Sequence, residues 1–142
     1  MKVSAKVDYA CRALVELSLR WPERSPLQLR EIAQRQRISM KFLVHILIGL
    51  KQLGLVESIR GKKGGYVLAR SPQEIKLSEI IRHFGGLGYT LALENTKKEN
   101  HHVMDSIWQE IDDTMKTLLD KINMETIINQ ERSKGDAVIY EI

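Results

Sequence analysis

Between Leu29 and Arg70 the apolar residues change their spacing, and that change sharply limits the folds open to this chain. Leu29, Ile32 and Ala33, and then Leu43, Ile46, Leu47, Leu50 and Leu53, recur at the steps of three and four that mark a helix. The first of these helices is expected over Leu27–Arg35 and the second over Met40–Leu53, with only a short polar break between them. Ser39 stands where an N-cap belongs, because its hydroxyl can accept a backbone N–H of the first turn. Gly54 stands where a helix stops. Two short runs suited to strands follow, Leu55–Arg60 and Tyr66–Arg70, around Gly61-Lys62-Lys63-Gly64-Gly65. This order predicts a helix-turn-helix followed directly by a lysine-tipped β-hairpin, which is a winged helix. The expected fold class is mainly α with one small hairpin.

The flanking segments are also periodic. Val7, Ala10, Cys11, Leu14, Leu17 and Trp21 form the stripe of a helix over Val7–Trp21, with Ser4 as N-cap, Pro22 as terminator and Ser18 as a polar interruption. Cys11 lies in that stripe, so it is expected to act as a small buried hydrophobe; a thiol switch there is the alternative. After Ser71-Pro72, a short helix is expected over Glu79–Phe84, capped by Ser78, with Ile80, Ile81 and Phe84 inward. From residue 85 to 101 the chain breaks at glycines and loses its period, a connection long enough to suggest function.

A long amphipathic pattern then runs from His102 to Asn123 through Val103, Ile107, Trp108, Ile111, Met115, Leu118, Leu119 and Ile122. Such a helix is roughly 30 Å long and has little core of its own to cover. Pairing with a second copy is the economical solution, so a homodimer is expected. Met124–Asn129 adds a further turn. The expected organisation is a winged-helix domain over 1–84, a loop over 85–101, a dimerisation helix over 102–130 and a tail over 131–142. That tail carries weak signals and is expected to be partly disordered; Ala137–Tyr140 packed as a short extended piece is the alternative.

Composition removes most other classes. The chain has 142 residues, one domain's worth, and is 43% hydrophobic, enough for a core. A single cysteine excludes a disulfide framework and any zinc or iron–sulfur site built from this chain's own thiolates. No apolar run approaches the ~18 residues of a membrane helix, and no apolar block follows the N-terminus. A cytoplasmic protein without a membrane partner is expected. The Gly61–Gly65 loop lacks P-loop spacing, and neither a His-Glu-x-x-His pattern nor a nucleophile elbow occurs, so catalysis is not expected. Asp112-Asp113 reads as a solvated face of the long helix.

Charge is divided unevenly. Residues 1–70 carry 14 Lys and Arg against 5 Asp and Glu, whereas residues 71–142 carry 8 against 13. A basic first half suits a polyanion. The major groove of B-DNA is about 12 Å wide and admits one helix, whose N-terminal residues face the base edges. Here those residues are Ser39, Met40, Lys41 and Phe42, with Val44 and His45 one turn on. Ser39 and Lys41 suit phosphate or a guanine edge, Phe42 and Val44 a thymine methyl, and His45 an acceptor on a base. For Phe42, covering the edge of the core is an equal alternative. Arg60, Gly61, Lys62, Lys63, Gly64 and Tyr66 make the wing, whose cations suit phosphates or the minor groove. Arg30, Arg35 and Arg37 suit the backbone at the groove edge. A second reading is a protein-interaction module that regulates through a partner protein rather than by touching DNA.

The segments Ser4–Ala10, Leu29–Ala33 and Ile38–Leu43, and above all Arg60-Gly61-Lys62-Lys63-Gly64-Gly65-Tyr66, resemble the Rrf2 family of bacterial winged-helix regulators. The resemblance is good over about residues 1–84 and looser over the long helix. It implies a homodimeric transcriptional regulator, most simply a repressor, whose long helices cross and whose recognition helices meet a palindromic operator. Many members hold a [2Fe–2S] cluster through three cysteines in the loop before the long helix. This chain has none from Gly85 to His102; His102 falls near the last expected cysteine and Thr96 near the middle one. No iron–sulfur cofactor is therefore expected, and the resemblance points to the cluster-free branch, whose effector is a small molecule or a partner protein. His101, His102 and Asp105 are the remaining candidates for a divalent metal, against an ordinary polar helix start.

Overall fold

Ser4 opens the first helix as its position predicts: its hydroxyl accepts the N–H of Val7 at 3.3 Å, and α1 runs Ala5–Ser18. The computed structural model describes residues 2–85 and 102–140, with side chains through 134. α1 ends earlier than its apolar stripe suggested, at Ser18, and Trp21 packs half-buried against the core beyond it. Val7, Ala10, Ala13, Leu14 and Leu17 face inward.

α2 (Leu29–Gln36) and α3 (Met40–Gln52) form the helix-turn-helix. The turn is short because Arg37 adopts a left-handed conformation at φ 54°, which lets the N–H of Ile38 reach the carbonyl of Ala33 at 3.0 Å. Ile38 is buried there, and Ser39 caps α3 by accepting the N–H of Phe42 at 3.2 Å. Leu43, Ile46, Leu47 and Leu50 are buried against α1 and α2. Leu27, expected to begin the first helix of the pair, is instead extended: it exchanges backbone hydrogen bonds with Tyr66 at 3.0 and 2.8 Å. A leucine fits either period, and the pairing that decides it lies far along the chain.

β1 (Val56–Ile59) and β2 (Gly65–Leu68) are antiparallel, with Val56 opposite Leu68 and Ile59 opposite Gly65. The wing needs its glycines for steric reasons. At Gly64 a Cβ would meet the carbonyl oxygen of Ile59, and Gly65 sits at φ 148° with the carbonyl of Leu27 against the same position. Arg24 fastens the hairpin from below, donating to the Leu68 carbonyl at 3.1 Å and to Glu57 at 2.8 Å.

A 3-10 turn (Pro72–Glu74) leads into α4 (Leu77–Phe84), which starts before Ser78. The Glu79 carboxylate accepts the N–H of Lys76 at 3.3 Å and so closes the helix start. α5 (Val103–Lys121) and α6 (Met124–Tyr140) complete the fold. Residues 102–130 are therefore not one rod. The chain leaves the helix at Ile122 (φ −89°, ψ 118°), and Asn123 caps α6 through its side-chain oxygen, 2.9 Å from the N–H of Thr126. The break is anchored on the first domain, with Met124 N–H to Ile75 O at 3.0 Å and Leu77 N–H to Ile122 O at 2.9 Å. Met124 and Ile128 are buried, so α6 closes the core instead of extending α5. The backbone of the expected tail is helical through Tyr140, not extended. Among the described residues no helix is long and apolar enough to cross a membrane.

Candidate nucleic-acid interface

The N-terminal end of α3 projects from the helix-turn-helix with its outer face open. Ser39, Met40, Lys41, Val44 and His45 are exposed, while the neighbouring leucines anchor the opposite face. Ile48, which the sequence reading passed over, is 48% exposed in line with Met40 and Val44 at helical steps of four. The ring of Phe42 is half-buried and meets Tyr9 edge-on, with centroids 5.4 Å apart, so it braces α3 against α1, the core-edge alternative for this residue.

On the wing, Arg60, Gly61, Lys62 and Lys63 are exposed. Gly64 is buried, and Tyr66 is half-buried with its backbone paired to Leu27, so both shape the hairpin. Gln28 donates to the Lys62 carbonyl at 3.4 Å, tying the wing tip to the start of α2.

Among the described residues, the side chains of Arg30, Arg37, Lys41, Arg60, Lys62 and Lys63 have no carboxylate partner, and none is buried. Arg35 differs: it sits 3.6 Å from Glu16, which also accepts from Gln36 at 2.7 Å. Its charge is partly answered within the fold by Glu16, unlike the other six. Unanswered cations on both sides of an open helix end create positive potential where a polyanion would lie.

α5 presents a second surface. None of its residues is buried within the protomer. Val103, Ile107, Trp108, Ile111 and Leu118 are exposed, by 70, 41, 42, 44 and 51%; Met115 and Leu119 are half-covered. Ile122 drops out of this stripe, because it forms the turn into α6. The opposite face is polar, with Lys116 and Asp112 2.8 Å apart and Gln109 donating to Asp113 at 2.9 Å.

Two of the three metal candidates cap α5. Nδ1 of His102 accepts the N–H of Met104 at 3.1 Å, and Asp105 accepts the N–H of His102 at 3.0 Å, so the pair closes the start of α5. His101 and the expected loop from 86 to 101 lie outside the described residues. Cys11 is half-buried, and burial, helped by the Asp8 carboxylate, pushes its thiol up to about 12. At neutral pH it is a thiol, not a nucleophilic thiolate. A dithiobis-nitrobenzoate assay at pH 8 is expected to release product only after denaturation; prompt reaction of the folded protein would contradict this placement.

A two-helix reader with a glycine-built hairpin beside it is the winged helix of DNA-binding regulators. A sequence profile of the Rrf2 family, described as an iron-dependent transcriptional regulator, matches residues 3–130. The chain belongs to the Rrf2 family of transcriptional regulators, a family of regulators and not of enzymes. It is 30% identical to the helix-turn-helix regulator CymR of Bacillus subtilis over 142 residues, the whole length of both. It is 41% identical over 86 residues to an Rrf2-like regulator of Rhodobacter capsulatus, and that match spans 59% of this chain and 57% of the relative. The solved structure of Bacillus subtilis CymR, described as its global cysteine regulator, superposes with a TM-score of 0.81 at 31% identity, covering 92% of this chain and 98% of that one. The structure of T. potens IscR superposes at 0.77 with 33% identity, over 92% and 88%.

Among the described residues, the iron in the family's description finds no set of donors. Cys11 supplies the sole thiol, protonated and packed against the core, and among the described residues no group of three or more His, Cys, Asp or Glu is placed to hold a metal ion. These residues do not fit an iron–sulfur cluster.

Proposed function

We propose that this protein binds a pseudo-palindromic DNA operator as a homodimer, represses by occupying it, and responds to an effector without an iron–sulfur cluster of its own. The observation that carries the reading is the set of six unanswered cations flanking the open end of α3. In this arrangement Met40, Lys41, Val44 and His45 enter the major groove, Ser39 and Arg37 meet phosphate, and Arg30 steadies the register from α2. Arg60, Lys62 and Lys63 reach the next stretch of backbone or the minor groove. The exposed stripe of α5 supplies the seam between two copies, because a lone 19-residue helix with no buried side chain leaves its apolar face in water. Repeated selection from random duplexes tests the reading. It is expected to recover an inverted repeat; recovery of no sequence, or of an unrepeated one, would overturn it.

A further inference from the structure

The end of α1, the 3-10 turn and α6 meet around a cleft of about 140 Å³ that neither the core nor the cationic surface uses. Ser18 lines it, fully buried, and among the described residues its hydroxyl has no hydrogen-bond partner. A buried hydroxyl left unpaired is costly, so a polar partner belongs there. The cleft has several times the room a single water needs and is well below the ~300 Å³ of a drug-sized pocket.

The walls specify charge. Glu125 and Arg132 rise from one face of α6, seven residues apart, and among the described residues neither makes an ion pair or hydrogen bond. Trp21, whose indole N–H has no partner among the described residues, lines the cleft with Ser71 and Gln73. A carboxylate suits the guanidinium of Arg132, and an ammonium suits Glu125. A bare phosphate would meet the Glu125 carboxylate, and a metal ion would find only one. We infer that the cleft binds a free α-amino acid, and that this is the effector site of the proposed regulator, on which reading the second half of the inference rests.

The coupling follows from position. The cleft joins α6 to the 3-10 turn, a short step from the Ile75–Met124 and Leu77–Ile122 hydrogen bonds that fix where α5 departs. A ligand held between these elements sets the direction of α5, and with it the separation of two recognition helices.

The test uses the full chain labelled with nitrogen-15. The indole resonance of Trp21, one of two in the protein and assigned with Trp21→Phe, is followed while pools of the proteinogenic L-amino acids, then single members, are added. At least one is expected to shift it saturably, whereas its N-acetyl and methyl ester derivatives, each lacking one charge, are not. Arg132→Ala and Glu125→Gln, both away from the core, should each weaken binding about tenfold or more. Bound amino acid should change operator affinity by about fivefold or more, in either direction. A resonance indifferent to every pool, meaning that the cleft holds water only, would overturn the site; so would binding that survives Arg132→Ala. Binding without any change in operator affinity would overturn the effector role. Absence of operator binding by the ligand-free protein would instead count against the proposed function and leave the cleft standing.

Discussion

Ile111→Asp, and independently Leu118→Asp, should leave the chain monomeric at micromolar concentration and cost the operator about a hundredfold or more in affinity. Both side chains lie on the α5 stripe that the protomer leaves in water, Ile111 at 44% and Leu118 at 51% exposure. In a dimer seam an aspartate would face apolar neighbours with no cation beside it, a cost of about 3–5 kcal/mol for each unpaired buried charge. By symmetry each substitution places that charge in the seam from both copies. The loss on DNA follows because two linked heads bind far more tightly than either head alone, by about 10²–10⁴. Sedimentation and fluorescence anisotropy read the two effects. Asp113→Ala, on the polar face, serves as the control and should sediment as a dimer. An intact dimer of Ile111→Asp would remove α5 as the seam.

The second large effect concerns the wing. Lys62→Ala combined with Lys63→Ala removes two exposed cations without touching a buried group, since the hairpin's shape rests on Gly64, Gly65 and the Arg24 bonds. Each phosphate contact releases condensed counterions and contributes about −0.9 to the slope of log affinity against log salt. Two contacts from each subunit amount to about four per dimer, so the slope should flatten by roughly 3.6. Affinity should fall alike for the operator and for unrelated duplex, because phosphate contacts carry no sequence. Lys41→Ala contrasts with this, since a groove contact should reduce discrimination more than salt dependence. An unchanged slope in the double variant would place the wing away from the backbone.

The parts of the fold that were legible in the sequence are those fixed by neighbours in the chain. Ser4 and Ser39 cap their own first turns, Gly54 ends α3, and Gly64 is required by the Ile59 carbonyl of its own hairpin. What was not legible depends on partners far away. Leu27 satisfies a helical period but pairs with Tyr66, and Phe42 could face DNA until Tyr9 occupies its edge. Arg35 looks like its neighbouring arginines until Glu16 answers it. The break at Asn123 is hidden because apolar residues continue on both sides of it, through Ile122, Met124, Ile127 and Ile128; the turn is set by the distant bond from Met124 N–H to the Ile75 carbonyl. Ser18 read as a polar interruption of an apolar stripe, and its burial beside a cleft could not be seen from α1 alone.

Hydroxyl-radical footprinting of the selected duplex, at the stoichiometric point of a titration, bears most directly on the claim that two copies present paired recognition helices. Two protected half-sites should appear on one face of the duplex, their centres about 10 base pairs or a multiple of that apart, with a pair of chains bound to each duplex. A single protected segment holding one chain would contradict it.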